Sequence, residues 1–300
     1  MMEKIKIGYF ADGPWSYHAF RLLIEDPSIE IAFIVPRTDT RDQTLKNFAE
    51  QYNIDYLLGI KINSEEFYQL ALKYNCDLFV SMSFNQIFRH RITHLPRLKT
   101  INCHAGKLPF YRGRNILNWV LINDEKEFGI TVHYIDDGID TGDIILQKTY
   151  PITDADNYQT LLEIAYTECA TLLYESVKLL QAGEVKPVKQ ADIHPVGFYC
   201  GVRGIGDEII NWNQTSRELF NFIRSICHPG PRAVTYCNNA EVKINGVSLI
   251  PNAPAYKSTV GQIVGRTDRG FIVKTTDTTL EIFEIESDIK LKIGDRLTNA

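Results

Sequence analysis

An amide, an imidazole and a carboxylate are spaced along this chain so that one site can use all three. Asn102 and His104 lie two residues apart in a stretch with strand character, and Asp140 follows in a loop rich in Asp and Gly. Side chains two positions apart on a strand point to the same face. Asn102 and His104 therefore lie on one face, and Cys103 points to the other. A carboxylate beside them would complete a group that moves a proton and holds a developing oxyanion. These residues predict acyl transfer without a nucleophilic side chain.

The elements that must position these residues predict an α/β fold with a doubly wound, mostly parallel sheet. The chain begins as a βαβ unit and continues with alternating helices and strands. The predicted strands are residues 4–10, 29–35, 77–81, 99–103, 129–135 and 144–150, and the predicted helices are residues 15–23, 42–51, 65–74 and 157–181. Ligands of such sheets bind beyond the carboxyl ends of the strands. We therefore expect segments 12–14, 82–85 and 102–106 to meet at one edge of the sheet.

A smaller second domain is predicted after a Gly/Pro-rich loop. Residues 184–206 lack clear periodicity and are interpreted as a linker. A helix follows at residues 215–226 with Thr215 as its cap, and short alternating strands then predict a small β-barrel of the OB type. We place the two domains at residues 1–200 and 207–300.

Composition excludes several classes of protein. A net charge of −5 gives no general attraction to nucleic acid phosphates. No run of about 18 apolar residues could span a bilayer, and the first residues lack the pattern of a secretory signal. The cysteines at 76, 103, 169, 200, 227 and 237 are scattered, which favours a reducing compartment. We expect a cytoplasmic protein.

Three other chemistries are weighed against the residues and disfavoured. The glycine order of residues 201–206 is wrong for a dinucleotide-binding loop, and the segment does not join a strand to a helix. Cys103 and His104 point to opposite faces of a strand, which argues against a Cys-His nucleophile. The acidic residues at 136, 137, 140 and 143 miss the calcium-loop spacing, so a solvated acidic turn is the preferred interpretation. His133, inside a strand, is interpreted as a structural histidine.

Three motifs resemble those of the 10-formyltetrahydrofolate-dependent formyltransferases. They are Asn102-x-His104, Leu108-Pro109-x-Tyr111-Arg112-Gly113 and Asp137-Gly138-x-Asp140-Thr141-Gly142-Asp143. Residues 1–200 resemble the folate-binding catalytic domain of that family, which has a Rossmann-like formyltransferase fold, and the chain from Asp207 onward resembles its C-terminal barrel domain. The resemblance implies that Asn102, His104 and Asp140 are catalytic, that N10-formyltetrahydrofolate is the formyl donor, and that no metal takes part.

The same resemblance implies the residues that bind the donor. They would be Met82, Ser83, Phe84, Ile87, Leu108, Ile135, Asp137 and Gly138. The family usually has Ser-Leu-Leu-Pro where this chain has Gly106-Lys107-Leu108-Pro109. Lys107 would reach the phosphates of the acceptor or the glutamate tail of the folate, or it would be solvated.

The nature of the acceptor amine separates the members of this family. They formylate initiator methionyl-tRNA, a purine-pathway ribonucleotide, or amino sugars linked to a nucleotide. Residues 207–300 carry 11 Lys and Arg and 11 Asp and Glu, so their net charge is zero. A domain without net positive charge does not attract a polyanion such as tRNA. The segment 111–119 looks more like the sugar enzymes. We expect a sugar N-formyltransferase for surface glycan biosynthesis, acting on a UDP- or dTDP-linked amino-deoxysugar.

The acceptor is expected to bind through a set of loop residues. They are Gly13, Pro14, Trp15, Lys107, Tyr111, Arg112, Arg114, Asn115 and Arg203. Two alternatives stay open, a methionyl-tRNA formyltransferase and a non-catalytic sugar-nucleotide binding protein. The expected partner is thus a nucleotide-linked amino sugar, with neither nucleic acid nor membrane, and the family leads us to expect a homodimer.

Overall fold

A computed structural model describes residues 4–299, which divide into two compact units. The first unit contains the chain up to Arg114, Phe128–Tyr150 and Glu163–Cys200. The second contains Asn115–Glu127, Pro151–Leu162 and the chain from Gly201 onward.

The helices and strands follow one another in the alternating order expected of an α/β chain. In chain order the elements up to the long helix are β1 (Ile5–Ala11), α1 (Pro14–Glu25), β2 (Ile29–Val35), α2 (Gln43–Tyr52), β3 (Asp55–Tyr56), α3 (Glu65–Tyr74), β4 (Leu78–Met82), α4 (His90–Thr93), β5 (Thr100–His104), β6 (Arg112–Gly113), α5 (Ile116–Ile122), β7 (Glu127–Tyr134), β8 (Ile144–Pro151) and α6 (Tyr158–Ala182). The remaining elements are α7 (Gln190–Ile193), β9 (Tyr199–Cys200), α8 (Ser216–Ser225), β10 (Ala233–Cys237), β11 (Ala240–Leu249), β12 (Ile263–Arg266), β13 (Gly270–Lys274) and β14 (Thr279–Ser287).

A seven-stranded sheet in the order β3-β2-β1-β4-β5-β7-β8 forms the centre of the first unit. The strands from β3 to β5 pair in parallel, and β7 is antiparallel to β5. The chain order reverses at β1, which is the doubly wound arrangement, so the predicted fold class is confirmed. Ligands of such sheets bind at the carboxyl edge near this reversal.

The carboxyl ends of β1, β4 and β5 meet at one edge, as predicted. Met82 at the end of β4 pairs with Cys103 of β5, and its carbonyl accepts a hydrogen bond of 3.2 Å from the N–H of Asp12 after β1. The core beneath this edge is aromatic because Phe10 of β1 is fully buried among other rings. These rings are Phe33, Phe67, Phe79, Phe84 and Phe88, with centroids 5.0 to 5.9 Å from that of Phe10. The loop after β4 is thereby packed against β1.

Asp26, at the C-terminal end of α1, ties that helix to α6. Its Oδ2 accepts from Lys178 Nζ at 2.9 Å and from the Tyr174 hydroxyl at 2.8 Å, and its Oδ1 accepts from the N–H of Ser28 at 2.8 Å. Burial alone raises the pKa of Asp26, but the hydrogen bonds from Ser28, Lys178 and Tyr174 outweigh it. The pKa therefore lies well below its ordinary value.

Asp26→Asn should destabilise the protein at neutral pH by about 1.5 to 3 kcal/mol, because hydrogen bonds to a charged group are lost. The folded-state pKa of Asp26 is lower than its unfolded-state pKa, so its contribution is fully present above the unfolded value and shrinks as pH falls. Denaturant unfolding of both proteins between about pH 7 and about pH 3 would measure this. A difference in unfolding free energy that does not decrease with falling pH would contradict the assignment.

The second unit contains a five-stranded antiparallel sheet in the order β10-β11-β14-β13-β12. The chain near its C-terminal end bridges both edges of this sheet, through Tyr236 with Thr298 and through Gln262 with Arg296. The sheet is thus closed into a small barrel, as predicted. The predicted cap of α8 is confirmed, because Thr215 and Glu218 form a capping box.

The segment predicted as a linker, residues 184–206, contains structure that its sequence pattern did not indicate. Val188 bridges Ile144, and the helix α7 and the strand β9 follow. β9 pairs in parallel with β6, a strand that was also not predicted. Elements of two to four residues have no periodicity of their own, because their partners lie far away in the chain.

Candidate active site

Strand β5 brings Asn102 and His104 to the same face of the sheet. The side chain of His104 is buried beside Asp140, and the Asn102 amide lies against His133, which is opposite Asn102 on β7. Cys103 points to the other face, where its Sγ lies 3.5 Å from the carbonyl oxygen of Cys169. The arrangement predicted from strand alternation is therefore present.

Asp140 completes the group from the loop after β7. Its backbone is in the left-handed region, with a φ of 54°. Its Oδ2 accepts a hydrogen bond of 2.9 Å from the N–H of Gly113 and lies 3.7 Å from His104 Nδ1, while its Oδ1 lies 3.5 Å from His133 Nε2. One carboxylate is thus placed between two imidazole rings.

His104 is oriented by a backbone carbonyl. Its Nε2 lies 2.7 Å from the carbonyl oxygen of Tyr111, which can only accept a hydrogen bond, so Nε2 carries a proton. The 3.7 Å between Nδ1 and Asp140 Oδ2 is longer than a hydrogen bond. Nδ1 is therefore available to form a hydrogen bond with a substrate atom. Asp140 is still close enough to stabilise positive charge on the ring.

If His104 has the catalytic role that the resemblance implies, Gly106→Ala should lower kcat by about ten- to a hundredfold, because small displacements of such a group are costly. A Cβ at Gly106 would be 2.7 Å from His104 Cδ2 and 2.5 Å from the carbonyl oxygen of Tyr111, so the ring would have to move. Steady-state kinetics together with a thermal melt would test this. A folded Gly106→Ala variant with normal kcat would show that the ring position is not critical.

His133 was interpreted from the sequence as a structural histidine, and the structure shows it buried beside Asn102 and Asp140. Its Nδ1 lies 2.7 Å from the carbonyl oxygen of Tyr134, which can only accept a hydrogen bond, so Nδ1 carries a proton. Its Nε2 can then accept from the Asn102 Nδ2 at 3.4 Å. This contact fixes which end of the Asn102 amide faces the site. The signal in the sequence was the antiparallel register, which could not be known before β5 and β7 were paired.

The charge of Asp140 is stabilised by its surroundings. Burial alone raises the pKa of Asp140, but the neighbouring imidazoles of His104 and His133 and the N–H of Gly113 outweigh this effect. The pKa of Asp140 therefore lies well below its ordinary value. At neutral pH Asp140 is a carboxylate that can stabilise an imidazolium or accept a proton.

Gln190 is a buried residue of this region that sequence reasoning did not find. Its Nε2 donates to the carbonyl oxygens of Asp140 and Gly142, both at 2.8 Å. Its Oε1 accepts from Arg112 Nε at 3.1 Å and from Arg112 Nη2 at 2.7 Å. No sequence motif marked it, because it lies in the segment interpreted as a linker.

The residues predicted to bind the donor lie mainly in two loops, one after β4 and one after β7. Ser83 has a φ of 57°, and Phe84 packs on Phe10. Ile87 is 69% exposed, whereas Met82 and Leu108 are each 1% exposed. In the second loop Ile135 packs against the core, and Asp137 and Gly138 are exposed. In residues 4–299, the Oδ1 atom of Asn85 is buried without a hydrogen-bond partner, although its Nδ2 donates to Asp39 at 3.2 Å.

Several residues predicted to hold the acceptor already have partners in the first unit. Arg112 binds Gln190, and Trp15 packs edge-on against Tyr166 with ring centroids 4.8 Å apart. Gly13, which precedes Pro14 and α1, donates its N–H to Asp42 at 2.7 Å. Tyr111 is buried, and its carbonyl oxygen faces His104.

Arg114 differs from Arg112 in this respect. Arg114 is exposed, and within the described chain its guanidinium forms neither a hydrogen bond nor an ion pair. The Lys107 stem lies over Gly129, where a Cβ would be 2.8 Å from Lys107 Cα. Among the basic residues predicted to bind the acceptor, Arg114 is therefore the best candidate for binding a phosphate.

Asn115 and Arg203 belong to the second unit and contact each other there. The N–H of Arg203 donates to Asn115 Oδ1 at 3.0 Å, and its guanidinium donates to the carbonyl oxygen of Asp207. The guanidinium also lies over the rings of Trp119 and Phe222, at 5.4 and 5.5 Å from their centroids. Arg203 therefore has a complete set of contacts within its own unit.

Residues 4–299 contain neither a metal-binding cluster nor a membrane-spanning helix. That part of the chain has no group of three or more His, Cys, Asp or Glu that could hold a metal ion. None of its helices is both long and apolar enough to span a bilayer.

Solved structures with the same fold include two sugar N-formyltransferases. The sugar 3N-formyl transferase WlaRD, studied with dTDP and 5-N-formyl-THF, is 22% identical with a TM-score of 0.70, covering 97% of this chain and 100% of that one. The N-formyltransferase of Helicobacter canadensis, in complex with folinic acid and dTDP-3-aminofucose, is 21% identical with a TM-score of 0.73, covering 94% of this chain and 100% of that one.

Sequence relatives point to the same family. The methionyl-tRNA formyltransferase of Pelotomaculum thermopropionicum is 31% identical over 87% of this chain and 84% of its own length. That of Syntrophus aciditrophicus is 30% identical over 99% and 96%. The family models for formyl transferase and for the formyl transferase C-terminal domain match residues 34–175 and 206–295. The chain therefore belongs to the formyl transferase family and is a formyl-transferring enzyme.

Proposed function

We propose that this enzyme transfers the formyl group of N10-formyltetrahydrofolate to the amine of a nucleotide-linked amino-deoxysugar. The family and its folate-bound relatives support formyltetrahydrofolate as the donor. The observation that carries the catalytic part is the cluster of Asn102, His104 and Asp140 at the carboxyl edge of the sheet. We propose residues 1–200 as the catalytic domain and residues 207–300 as a smaller barrel domain, although the second compact unit also contains Asn115–Glu127 and Pro151–Leu162.

The proposed reaction gives each of the three side chains a role. The acceptor amine attacks the formyl carbon, and the oxyanion that forms accepts hydrogen bonds from the Asn102 amide and from Nδ1–H of protonated His104. Asp140 stabilises the charge on His104 and takes the proton that leaves the amine, directly or through water. The C–N bond to the folate then breaks, and the folate nitrogen takes that proton from Asp140, directly or through water, which restores the carboxylate.

The loop after β4 fits a donor that carries N–H groups. A pterin is flat and has an amino group and a ring N–H. The unpartnered Oδ1 of Asn85 within the described residues is an acceptor that such a ligand can satisfy, and unpaired buried oxygens of this kind call for an explanation. Ser83 and Phe84, which directly precede Asn85, are the proposed pterin-binding residues of this loop. Ile87 offers an exposed apolar wall.

The charge distribution of the second unit favours a small acceptor over tRNA. Residues 207–300 carry as many Asp and Glu as Lys and Arg, and several of the basic side chains form ion pairs with neighbouring carboxylates. The pairs include Arg217 with Asp154 at 2.6 Å, Arg232 with Glu286 at 2.7 Å, Lys243 with Glu241 at 3.2 Å, and Arg269 with Glu281. A tRNA-binding surface needs basic side chains that are available to phosphates, since counterion release supplies most of the affinity. The diphosphate of a sugar nucleotide needs only one or two, and we propose Arg114 as one of them.

A methionyl-tRNA formyltransferase is the second candidate, because the sequence relatives at 30 to 31% identity carry that name. The two candidates share the donor and the catalytic group and differ in the amine. They also differ in salt dependence, because binding of tRNA would weaken steeply with ionic strength and binding of a sugar nucleotide would not.

One assay separates the candidates. The protein is incubated with 10-formyltetrahydrofolate and a panel of UDP- and dTDP-linked 3-amino and 4-amino sugars, with methionyl-tRNA as a further acceptor. We expect one sugar nucleotide to become heavier by a formyl group. Formylation of methionyl-tRNA alone would establish the second candidate. Tight binding of a sugar nucleotide without any product would indicate a non-catalytic binding protein.

A further inference from the structure

We propose that Gln190 is a positioning residue that holds Asp140 in its catalytic place, and that Arg112 in turn holds Gln190. The inference rests on the proposed function, because it gives Gln190 a role in the same active site. It also assigns Arg112, a candidate for acceptor binding, to the support of the site.

The carboxamide of Gln190 uses its whole hydrogen-bonding capacity in this one place. Both Nε2–H groups donate to carbonyl oxygens, those of Asp140 and Gly142, and Oε1 accepts twice from Arg112. Gln190 is 3% exposed. The amide cannot be reversed, because carbonyls require a donor and the guanidinium requires an acceptor. Its orientation is therefore unique, which is what a positioning group needs.

Asp140 needs such support because its backbone conformation is uncommon. A φ of 54° lies in the left-handed region, which non-glycine residues occupy uncommonly. Gln190 binds the carbonyl oxygen of Asp140, and the N–H of Gly113 binds its carboxylate. The backbone and the side chain of Asp140 are thus held from two directions.

Both contacts to Asp140 depend on the two-residue strand β6. Arg112 supplies the guanidinium that fixes Gln190, and Gly113 supplies the N–H that binds the carboxylate. This strand is in turn fixed by β9, because the N–H of Arg112 donates to the carbonyl oxygen of Phe198 at 3.2 Å. The short β6–β9 pair therefore gives Asp140 a rigid support.

Gln190→Glu is the sharpest test, since the shape is kept and only the donors are lost. The new carboxylate still pairs with Arg112 but faces the carbonyl oxygens of Asp140 and Gly142 as a second acceptor. We expect kcat to fall by about ten- to a hundredfold while KM for the acceptor changes by less than about threefold. Gln181→Glu is the matched control, because Gln181 Nε2 also donates to a backbone carbonyl, that of Ser28 at 3.2 Å. This control should leave kcat unchanged.

Amide hydrogen exchange of Gly113 tests the support without any acceptor. This N–H is bonded to Asp140 Oδ2, so it should exchange faster in Gln190→Glu than in the wild type and in Gln181→Glu. If the wild type formylates no acceptor, the proposed function fails, and the exchange rate still decides the role of Gln190. Unchanged exchange and unchanged kcat in a folded Gln190→Glu protein would overturn the proposal.

Arg112→Lys is a second test of the proposal, to be used if the Gln190→Glu protein does not fold. Lysine keeps the charge but lacks the guanidinium fork. We expect kcat to fall by about three- to tenfold, with faster exchange of the Gly113 amide and less than additive effects when both substitutions are combined. A large rise in acceptor KM with normal kcat and normal exchange would instead make Arg112 a phosphate ligand and overturn its role here.

Discussion

Replacing Asp140 by asparagine should lower kcat for formyl transfer by about a hundred- to ten-thousandfold, the range typical for loss of a general acid–base group. The amide is neutral, so it can neither stabilise an imidazolium at His104 nor accept a proton from the attacking amine. The low pKa of Asp140 means that the wild-type residue is already ionised throughout the working pH range. The loss should therefore be similar at every pH above about 5.

The fold should tolerate this substitution. Asparagine adopts the left-handed conformation of residue 140 readily, and its side-chain oxygen can still accept from the N–H of Gly113. Binding of folinic acid, measured by calorimetry, should be retained. Asp192→Asn, an exposed carboxylate of α7, is the matched control and should be fully active. An Asp140→Asn protein that binds the donor and turns over within tenfold of the wild type would remove Asp140 from the mechanism.

Asn102→Ala should lower kcat by about a hundred- to a thousandfold, the usual cost of removing one oxyanion donor. Because one N–H of the amide faces His133, the other remains for the oxyanion. An interaction made mainly in the transition state affects kcat more than KM. Single-turnover kinetics with saturating donor and acceptor would measure the chemical step directly.

The neighbouring residue provides the control for Asn102. Cys103→Ala changes the same strand on its opposite face, where Sγ contacts the carbonyl oxygen of Cys169. We expect a modest loss of thermal stability and an unchanged kcat. Equal losses of activity in Asn102→Ala and Cys103→Ala would mean that both act by disturbing β5, and the oxyanion role would be wrong.

The alternation along β5 shows how much of the site could be predicted. Strand geometry alone placed Asn102 and His104 on one face and Cys103 on the other, and the rule for parallel sheets brought three loops to one edge. Both follow from backbone geometry that any strand must obey. The bounds of α3, residues 65–74, agree with the structure for a similar reason, because Ser64 and Asn75 cap it locally.

His133 and Gln190 show why the rest could not be predicted. His133 faces Asn102 only because β5 and β7 pair antiparallel in one register, and a shift of one residue would turn it to the opposite face. Gln190 reaches Asp140 across 50 residues of sequence from a helix of four residues. Neither relation leaves a periodic signal, because each is made by a long-range contact.

The sequence by itself determined the chemistry of this protein: the residue types, their faces and the sheet edge where they meet are consequences of local geometry. The tertiary structure alone decided how that chemistry is oriented, since Asp140 is held in an uncommon conformation by Gly113 and Gln190, and its charge is set by two rings from different strands. The physical reason is that the side-chain pattern of a strand depends on the chain's own stereochemistry. The pairing of a carboxylate depends on which distant groups folding brings within hydrogen-bond distance.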